Sequence, residues 1–397
     1  MKPDTPPAPE AQRGCEVFIV TGEPSGDFLG AQLARALRGL DAAIGLRGVG
    51  SRRMREAGVE LFLDSTNWSV VGVGEALRKY LMLRRRFRAI LRELRASPPD
   101  VLVLIDYGYF NSRVARFARR MGLRIVYYFQ PRSWSRNPGR AARIADIVDV
   151  VAAPFPWSVK ALSGRRAAVQ WVGHPLVDVV PALPPPGPPG DSPLIALVPG
   201  SRQQEIRHIL PAIAGAARLV ARTLPQARFV LAVAPGLARC SIAECLRREG
   251  VQAVMVEGVD YNAVSQAHAA VVTSGTATLE LALLGVPMVV AYRVGIVTWL
   301  QYQITQALFG RIRYIAMPNI LADAPIVPEV RQTQANPRAI ARLVLRLVTD
   351  PERSERMRQD MARAARLLGP PGAVESAARV VLSLLQAQPR RKVHVSC

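Results

Sequence analysis

Short apolar runs that stop at a polar, glycine-containing turn and lead into a helical pattern recur along this chain. In the first half they lie at 17–20, 44–49, 100–106, 124–129, 147–152 and 169–172, and in the second half at 194–198, 229–234, 253–257 and 270–273. Runs rich in Val, Ile and Leu without polar alternation are typical of parallel strands covered on both faces. Their alternation with helices predicts an α/β protein built from doubly wound, Rossmann-like domains.

A proline-rich stretch divides this pattern into two halves, because residues 181–193, PALPPPGPPGDSP, have the composition of a stiff linker. At 397 residues the chain also exceeds one ordinary core. We therefore predict a disordered tail at 1–13, an N-terminal domain at 14–180, a C-terminal domain at 194–372 and a helix at 373–388 that packs back toward the first half. Two such domains predict an interdomain cleft.

Two strand-to-helix turns in the second half carry groups that suit phosphate. Ser274-Gly275-Thr276 follow the run at 270–273, and Pro199-Gly200-Ser201-Arg202 follow the run at 194–198. Hydroxyls and backbone N–H groups at a helix start favour an anion, and an arginine can hold phosphate through two parallel hydrogen bonds. Each turn could instead be only a helix cap, with Gln204 as the partner of Ser201.

Because both turns follow strands of one predicted sheet, we expect them to share an edge and to fit a nucleoside diphosphate together. Glu280, about one turn into the helix after Thr276, would reach a hydroxyl of that ligand. The chain lacks GxxxxGK[ST], and its first strand is followed by TGEPSGD rather than GxGxxG. These observations favour a nucleotide-sugar enzyme over an ATPase or a dehydrogenase.

Acidic side chains follow two strands of the first half. Glu23, Ser25 and Asp27 lie in the loop after 17–20, where either they bind a sugar or Ser25 caps the next helix. Asp106 ends the run at 100–106, a position that suits both a catalytic group and a helix cap. His174, in a Gly-His-Pro turn, is either a base or a residue that binds backbone groups.

The formal net charge of +22 favours an anionic partner: a phospholipid surface, a nucleotide or nucleic acid. The arginine-rich composition of a GC-rich genome is the alternative explanation. Segment 68–95 mixes apolar and basic residues, and we expect its first part, from Trp68, to be exposed. The segment suits an anionic membrane interface, where each basic side chain contributes about 1 kcal/mol, or it is an amphipathic helix with a solvated basic face.

Neither a metal site nor a disulfide framework is indicated by the four cysteines, since Cys15, Cys240, Cys245 and Cys397 show no C-x-x-C spacing. The first residues lack the apolar core of a signal peptide, and no run reaches the roughly 20 apolar residues of a membrane span. We expect a cytoplasmic protein that is soluble or attached to a membrane surface.

With these motifs in this order, the chain resembles the lipid-A-disaccharide synthase family of GT-B glycosyltransferases. The matching pieces, from about residue 17 to about 385, are GEPSGDFLGA, VGVGEAL, the VLID…FN strand end, VGHPLVD, LVPGSRQQEI, SGTATLE, PMVVAYR and MPNILA. The resemblance implies that 2,3-diacylglucosamine passes from UDP-2,3-diacylglucosamine to the 6-hydroxyl of 2,3-diacylglucosamine 1-phosphate. It also implies inversion, a β-1,6-linked product, no metal or cofactor, and work at the inner face of the cytoplasmic membrane.

Carried over by this resemblance, the residues named above take specific roles. Asp106 would be the general base for the acceptor hydroxyl, Glu280 would bind the ribose, and Asn319 would support the nucleotide or donor sugar. Glu23, Ser25 and Asp27 would face the acceptor. The diphosphate would be held by Gly200, Ser201, Arg202, Ser274, Gly275 and Thr276.

Three motifs of the acceptor half depart from the family pattern. Tyr109 replaces the second acid of I-D-A-P-D-F-N, Arg132 and Arg136 enter the S-P-S-V-W-A-W loop, and Ser51-Arg52 replace the start of G-P-x-M. The motifs therefore specify the UDP-sugar more closely than the acceptor. The alternatives are another GT-B transferase or a UDP-sugar 2-epimerase, a non-catalytic relative, and a basic nucleic-acid-binding protein, for which no recognition motif is found.

Overall fold

The computed structural model describes residues 15–66, 68, 73–129, 138–201, 203–234, 237–295, 299 and 313–387. The chain contacts within it define two units. Unit 1 comprises the described residues up to Pro175 and from Pro371 onward, and unit 2 spans Leu176–Pro370. Within the predicted linker, residues 181–189 have no regular secondary structure.

Unit 1 is built on a seven-stranded parallel sheet with the strand order β3-β2-β1-β4-β5-β6-β7. Its strands are β1 (Glu16–Val20), β2 (Gly45–Gly50), β3 (Glu60–Asp64), β4 (Val101–Ile105), β5 (Arg124–Tyr128), β6 (Val150–Ala153) and β7 (Ala168–Trp171). The connecting helices are α1 (Pro24–Leu40), α2 (Arg52–Glu56), α3 (Val73–Ala96), α4 (Gly108–Arg120), α5 (Pro138–Ala145) and α6 (Trp157–Ala161). Every strand is followed by a return that keeps the next strand parallel, as the run-and-helix pattern predicts.

The core of unit 1 lies on both faces of this sheet. Val17 and Ile19 of β1 pack into one apolar cluster, and Phe18 and Val20 pack into the other. Successive residues of a strand point to opposite faces, so a continuous apolar run serves two layers of helices at once. Burial of each such side chain stabilises the fold by roughly 1.5–3 kcal/mol. Both faces of the strand therefore favour apolar residues, and the resulting continuous apolar runs predicted these strands.

Unit 2 has a six-stranded parallel sheet with the order β10-β9-β8-β11-β12-β13. Its strands are β8 (Leu194–Val198), β9 (Arg228–Val233), β10 (Val254–Glu257), β11 (Ala269–Val272), β12 (Met288–Tyr292) and β13 (Glu329–Arg331). The helices are α7 (Leu176–Val179), α8 (Gln203–Thr223), α9 (Arg239–Arg248), α10 (Tyr261–Ser265), α11 (Ala277–Leu283), α12 (Met317–Ala322), α13 (Pro337–Thr349) and α14 (Pro351–Ala365). The prediction of two Rossmann-like, doubly wound domains is confirmed.

Each sheet has one point where the strand order reverses direction. In unit 1 the reversal lies between β1 and β4, and in unit 2 it lies between β8 and β11. The loops that leave the carboxyl ends of such a pair diverge and open a crevice, which is where doubly wound proteins bind their ligands. The segments that follow these four strands carry all the predicted site residues except Asn319, which lies in α12.

The last described helix, α15 (Ala373–Gln386), belongs to unit 1. Its buried face, which includes Ala377, Ala378 and Val381, is part of the same apolar cluster as Val17 of β1. Arg124, at the start of β5, donates hydrogen bonds to the carbonyls of Leu384 and Ala387 at the end of this helix. The helix therefore completes one face of the unit 1 core.

In the segment that joins β3 to α3, the expectation that Trp68 is exposed is wrong. Trp68 is 1% exposed and packs against the ring of Phe110, at a centroid distance of 5.4 Å, rather than facing solvent. Residues 69–72 lie outside the described residues, as do the side chains of the first turns of α3. In the described parts of the chain, no helix has both the length and the apolar character that crossing a membrane requires.

Candidate functional site

The acidic residues of unit 1 lie at its strand reversal. Val20 of β1 pairs with Leu104 of β4, so the loops carrying Glu23 and Asp106 leave neighbouring strands at the same edge. Asp106 and Tyr107 both have left-handed backbones, with φ of 46° and 48°. Non-glycine residues in that region cost of order 1–3 kcal/mol each and concentrate at functional sites. The surrounding structure must therefore hold this pair.

The backbone of Asp106 is held by buried side chains. The Tyr127 hydroxyl donates to its carbonyl at 2.7 Å, and the Asn111 amide donates to the carbonyls of Ile105 and Asp106 at 3.0 Å each. Burial and the negative charge of Asp106 raise the pKa of Tyr127 well above its usual value, so the hydroxyl stays a donor. The Asn111 Oδ1 atom is buried and has no hydrogen-bond partner in the described chain. Sequence spacing gave no signal for Tyr127.

In the structure Asp106 is not the N-cap residue of the following helix. Helix α4 begins at Gly108, and the position before it is occupied by Tyr107 rather than by Asp106. Asp106 directly follows β4, at the strand end where doubly wound enzymes place catalytic groups.

Tyr107 packs against the first loop so closely that the facing residue has to be glycine. A Cβ atom placed on Gly22 would lie 2.4 Å from the Tyr107 ring. Burial, with the negative charge of Glu23 adding to it, raises the pKa of the Tyr107 hydroxyl to about 12. The ring is therefore neutral at physiological pH and fixes the Glu23 loop against the Asp106 loop.

The other two polar residues of the first loop have different environments. Ser25 is exposed in the first turn of α1, whose N-cap position is held by Glu23 without a side-chain cap bond, so Ser25 does not cap this helix. Asp27 is 3% exposed, and its carboxylate accepts hydrogen bonds from the N–H groups of Ser51 at 2.5 Å and Arg53 at 3.1 Å. This placement revises the expectation that Asp27 faces the acceptor, because its oxygens hold the start of α2.

A row of aromatic rings continues from the Asp106 loop along the same edge. Phe129, after β5, lies 5.1 Å from His174, which lies 5.6 Å from Phe155. His174 is 3% exposed, and burial lowers its pKa to about 3. It is therefore neutral at physiological pH and packed among rings.

The structure describes some of the residues that depart from the family pattern. Tyr109 is 66% exposed, with the Arg113 guanidinium 5.8 Å from its ring centre, and Ser51 is the residue held by Asp27. Arg132 and Arg136 lie outside the described residues.

In unit 2 the structure brings the two phosphate-compatible turns together. Strands β8 and β11 are neighbours, and the Thr273 N–H donates to the Val198 carbonyl at 3.0 Å. Gly200 has a φ of +103°, which glycine adopts without strain, and Ser201 after it is exposed. Arg202 and the side chain of Gln204 lie outside the described residues. The shared edge predicted from the sequence is thus observed.

The SGT turn, residues 274–276, is not an ordinary helix cap. Ser274 Oγ donates to the Ile315 carbonyl at 2.8 Å, and Thr276 stands at the N-cap of α11 without a side-chain cap bond. The N–H groups of Gly275 and Thr276 donate to no acceptor within the described chain. The buried Thr273 hydroxyl beside them likewise has no partner there. These are the donors that a phosphate would occupy.

Glu280 lies in the first turn of the seven-residue helix α11 and is oriented by a second residue. Its Oε1 atom accepts a hydrogen bond from the Tyr261 hydroxyl at 2.9 Å, and its side chain is half-buried. A carboxylate fixed in this way can accept hydrogen bonds from the hydroxyls of a bound sugar.

Asn319 is placed differently from the expectation. It is 1% exposed, and its amide donates to Val327 O at 2.8 Å and to Glu329 Oε1 at 2.9 Å while its oxygen accepts from Val327 N. Both donors are used inside the protein, so Asn319 supports the loop behind the SGT turn rather than presenting its amide to a ligand. The sequence pattern of MPNILA does not predict these internal hydrogen bonds of Asn319.

The similarity of this chain to known proteins agrees with this geometry. Residues 17–383 match the family model described as lipid-A-disaccharide synthetase. The lipid-A-disaccharide synthase of Geobacter sulfurreducens is 37% identical over 379 residues, covering 94% of this chain and 98% of that protein.

Two solved structures share the fold at lower identity. The UDP-GlcNAc 2-epimerase from Neisseria meningitidis bound to UDP-GlcNAc is 15% identical, with a TM-score of 0.62 over 93% of this chain and 100% of that chain. The calicheamicin glycosyltransferase CalG4 is 20% identical, with a TM-score of 0.57 over 96% of this chain and 100% of that chain. From the family match and the identity to its relatives, we conclude that this chain belongs to the lipid-A-disaccharide synthase family.

Proposed function

We propose that this protein is an inverting hexosyltransferase that joins two diacylglucosamine units in lipid A biosynthesis. The donor is UDP-2,3-diacylglucosamine, and the acceptor is the 6-hydroxyl of 2,3-diacylglucosamine 1-phosphate. The observation that carries the proposal is the pair of turns after β8 and β11, which meet at the strand reversal of unit 2. In the second turn the N–H groups of Gly275 and Thr276 and the nearby Thr273 hydroxyl have no partner among the described residues. Family membership supplies the substrate class.

In the proposed donor site the SGT turn and the turn at Gly200, Ser201 and Arg202 hold the diphosphate. Glu280, oriented by Tyr261, binds the ribose hydroxyls. As the bond between the anomeric carbon and the diphosphate oxygen breaks, negative charge grows on UDP. Fixed N–H groups and a guanidinium stabilise that charge without having to reorganise, which lowers the barrier to departure.

In the proposed acceptor site Asp106 is the general base. Its carboxylate takes the proton of the acceptor 6-hydroxyl while that oxygen attacks the anomeric carbon from the face opposite UDP, which inverts the configuration. The products are the β-1,6-linked disaccharide phosphate and UDP, with the proton on Asp106. Glu23 and Ser25 lie in the adjoining loop, where they bind the acceptor sugar.

The test is incubation of the full chain with both lipid substrates, with UDP release and disaccharide mass measured together. Asp106→Asn should lower kcat by about 10²–10⁴-fold without changing UDP affinity. Arg202→Ala should instead weaken UDP binding. Absence of UDP release by the wild type with this pair would contradict the proposed reaction, and an active Asp106→Asn enzyme would contradict only the base.

We further propose that the substrates are met at an anionic membrane surface, at the inner face of the cytoplasmic membrane. The described part of α3 supports this, because Arg85, Arg86 and Arg92 line a cavity of about 540 Å³ together with the apolar Leu81 and Met82. Leu81 is 50% exposed, whereas Ile90 and Leu94 on the other face are buried. Basic side chains beside an exposed apolar one suit a lipid headgroup layer.

A further inference from the structure

The carboxylate of Glu329, on β13 of unit 2, is buried and accepts hydrogen bonds from several residues outside its own strand. The Glu329 side chain is 8% exposed. It accepts from the N–H groups of Ile315 at 3.0 Å and Ala316 at 2.8 Å, and from the Asn319 amide at 2.9 Å. Arg331 donates to it as well, at 2.5 Å, and balances its charge. Glu329 is thus a fixed anchor for residues 315–317, which we call the bracing segment.

The other side of the bracing segment is bonded to the SGT turn. The Ile315 carbonyl accepts from Ser274 Oγ at 2.8 Å. The Met317 N–H donates to Thr278 Oγ1 at 3.2 Å, and that hydroxyl donates to the Gly275 carbonyl at 2.7 Å. Two separate hydrogen-bond routes therefore connect Glu329 to the backbone that surrounds the unpaired N–H groups of the turn.

Arg331 also secures the chain just before the bracing segment. Its guanidinium donates to the Arg313 carbonyl at 2.7 Å in addition to Glu329. The bracing segment is thus held on one side by Glu329, through the N–H groups of Ile315 and Ala316, and on the other side by Ser274 and Thr278. The Arg313 carbonyl, two residues earlier, is held by Arg331. Donors that must wrap a diphosphate need this kind of support, because a small displacement removes several weak bonds at once.

We propose that Glu329 is a positioning residue for nucleotide binding, acting through the bracing segment on the SGT turn and not by touching the ligand. The inference rests on the proposed function, because the ligand of the turn is taken to be the UDP moiety. Glu329→Gln replaces one of the two acceptor oxygens by an NH₂ group, which cannot accept from Arg331 if it takes the place of Oε2, or from Ala316 and Asn319 if it takes the place of Oε1. The bracing segment then loses an anchor, and the turn loses its fixed shape.

The test measures UDP affinity by calorimetry and the two substrate KM values by steady-state kinetics, on full-length protein. Glu329→Gln should raise the UDP dissociation constant and the donor KM at least tenfold and leave the acceptor KM unchanged. The matched control is Glu352→Gln, the same chemical change at a carboxylate that is 84% exposed and pairs with Arg356 outside the network. It should retain wild-type values.

A purely structural role gives a different pattern. If Glu329 only stabilised the fold, the variant would contain fewer active molecules, so the binding stoichiometry and apparent kcat would fall while the UDP dissociation constant and both KM values stayed the same. That pattern overturns the proposal. If Glu329→Gln does not fold, Arg331→Met, at a residue whose side chain is 25% exposed, decides in its place. It should weaken UDP binding several-fold, and wild-type affinity in that variant overturns the proposal.

The outcome also separates this inference from the proposed function. A wild-type chain that binds no UDP contradicts the nucleotide site itself. A wild-type chain that binds UDP, together with a Glu329→Gln variant that binds it equally well, contradicts only the role of Glu329.

Discussion

The left-handed pair Asp106 and Tyr107 persists because neighbouring side chains fix one carbonyl. Tyr127 donates to the Asp106 carbonyl from a fully buried position, and Asn111 donates to it from the first turn of α4. A buried hydrogen bond contributes about 1 kcal/mol net, comparable to the cost of the left-handed backbone. The placement of the proposed base therefore depends on residues that never touch a substrate.

Removing one of these donors should reduce turnover more than binding. Tyr127→Phe is expected to lower kcat about tenfold, because about 1.4 kcal/mol of positioning is lost, while both KM values change little. The control is Tyr128→Phe, the same change on the same strand, whose ring packs on the opposite face of the sheet. Equal kcat values for Tyr127→Phe and the wild type would show that the hydroxyl does not position Asp106.

His174 makes stability depend on pH in a defined window. Its pKa in the folded chain is about 3, against about 6.5 in the unfolded chain, so only the unfolded state takes up a proton on mild acidification. The stability present above pH 6.5 is lost progressively as the pH falls toward 3. Between pH 7.5 and pH 4.5 the loss from this residue is about 2–3 kcal/mol.

The variant His174→Gln removes that titration. It should be less stable than the wild type at pH 7.5, because a packed ring is lost, yet its thermal midpoint should fall less between pH 7.5 and pH 4.5. Parallel pH dependence in the two proteins, measured by scanning calorimetry, would contradict the assignment.

At the scale of elements, α15 is held at its end by one guanidinium. Arg124 donates to Leu384 and Ala387 carbonyls, which a helix terminus leaves without intrahelical partners. Arg124→Met should cost about 1.5–3 kcal/mol and speed amide hydrogen exchange in residues 380–387 before other parts of unit 1. Arg120→Met, at an exposed arginine of α4, should leave exchange in α15 unchanged.

The elements that sequence pattern predicted and those it missed differ in a physical way. Long apolar runs such as β4 were evident because burial on both faces leaves no polar position. The short elements α2, β3 and β13 were missed, since three to five residues do not establish a period. Trp68 was predicted to be exposed because its burial depends on Phe110, which lies 42 residues later in the chain.

The candidate site likewise contains features that a local sequence signal predicts and features that depend on tertiary contacts. The turns after β8 and β11 were predicted, since glycine and hydroxyl residues at a strand end are a local signal. The supporting contacts from Tyr127 and Glu329 were not predicted, because each joins residues that only the tertiary fold brings together. The same reason explains why Asp27 and Asn319 were expected to face ligands: their types suit ligands, and only the structure reveals their internal partners.

At the scale of the whole molecule, the basic charge should act through a defined surface. The double change Arg85→Glu and Arg86→Glu on α3 is expected to reduce binding to vesicles that contain anionic phospholipid, by about 1 kcal/mol or more for each basic residue replaced. Binding of the wild type should also weaken as salt rises. Sedimentation with vesicles measures both effects.

The control is a second double variant that changes the net charge by the same amount at a different surface. Arg353→Glu with Arg356→Glu alters two exposed arginines of α14 in unit 2. Equal vesicle binding by the two double variants would show that total charge, and not α3, attracts the protein to lipid.

The position of α15 also has a consequence for how the chain is made. Unit 1 consists of an early stretch and a late helix, with all of unit 2 between them in the sequence. A ribosome therefore releases the seven strands of unit 1 while the apolar side chains that α15 later covers, on α1 and on β4, β5 and β6, still face water. Unit 1 reaches its native core only after unit 2 has been synthesised, so a chain that stalls within unit 2 would present an unfinished first domain to chaperones and proteases.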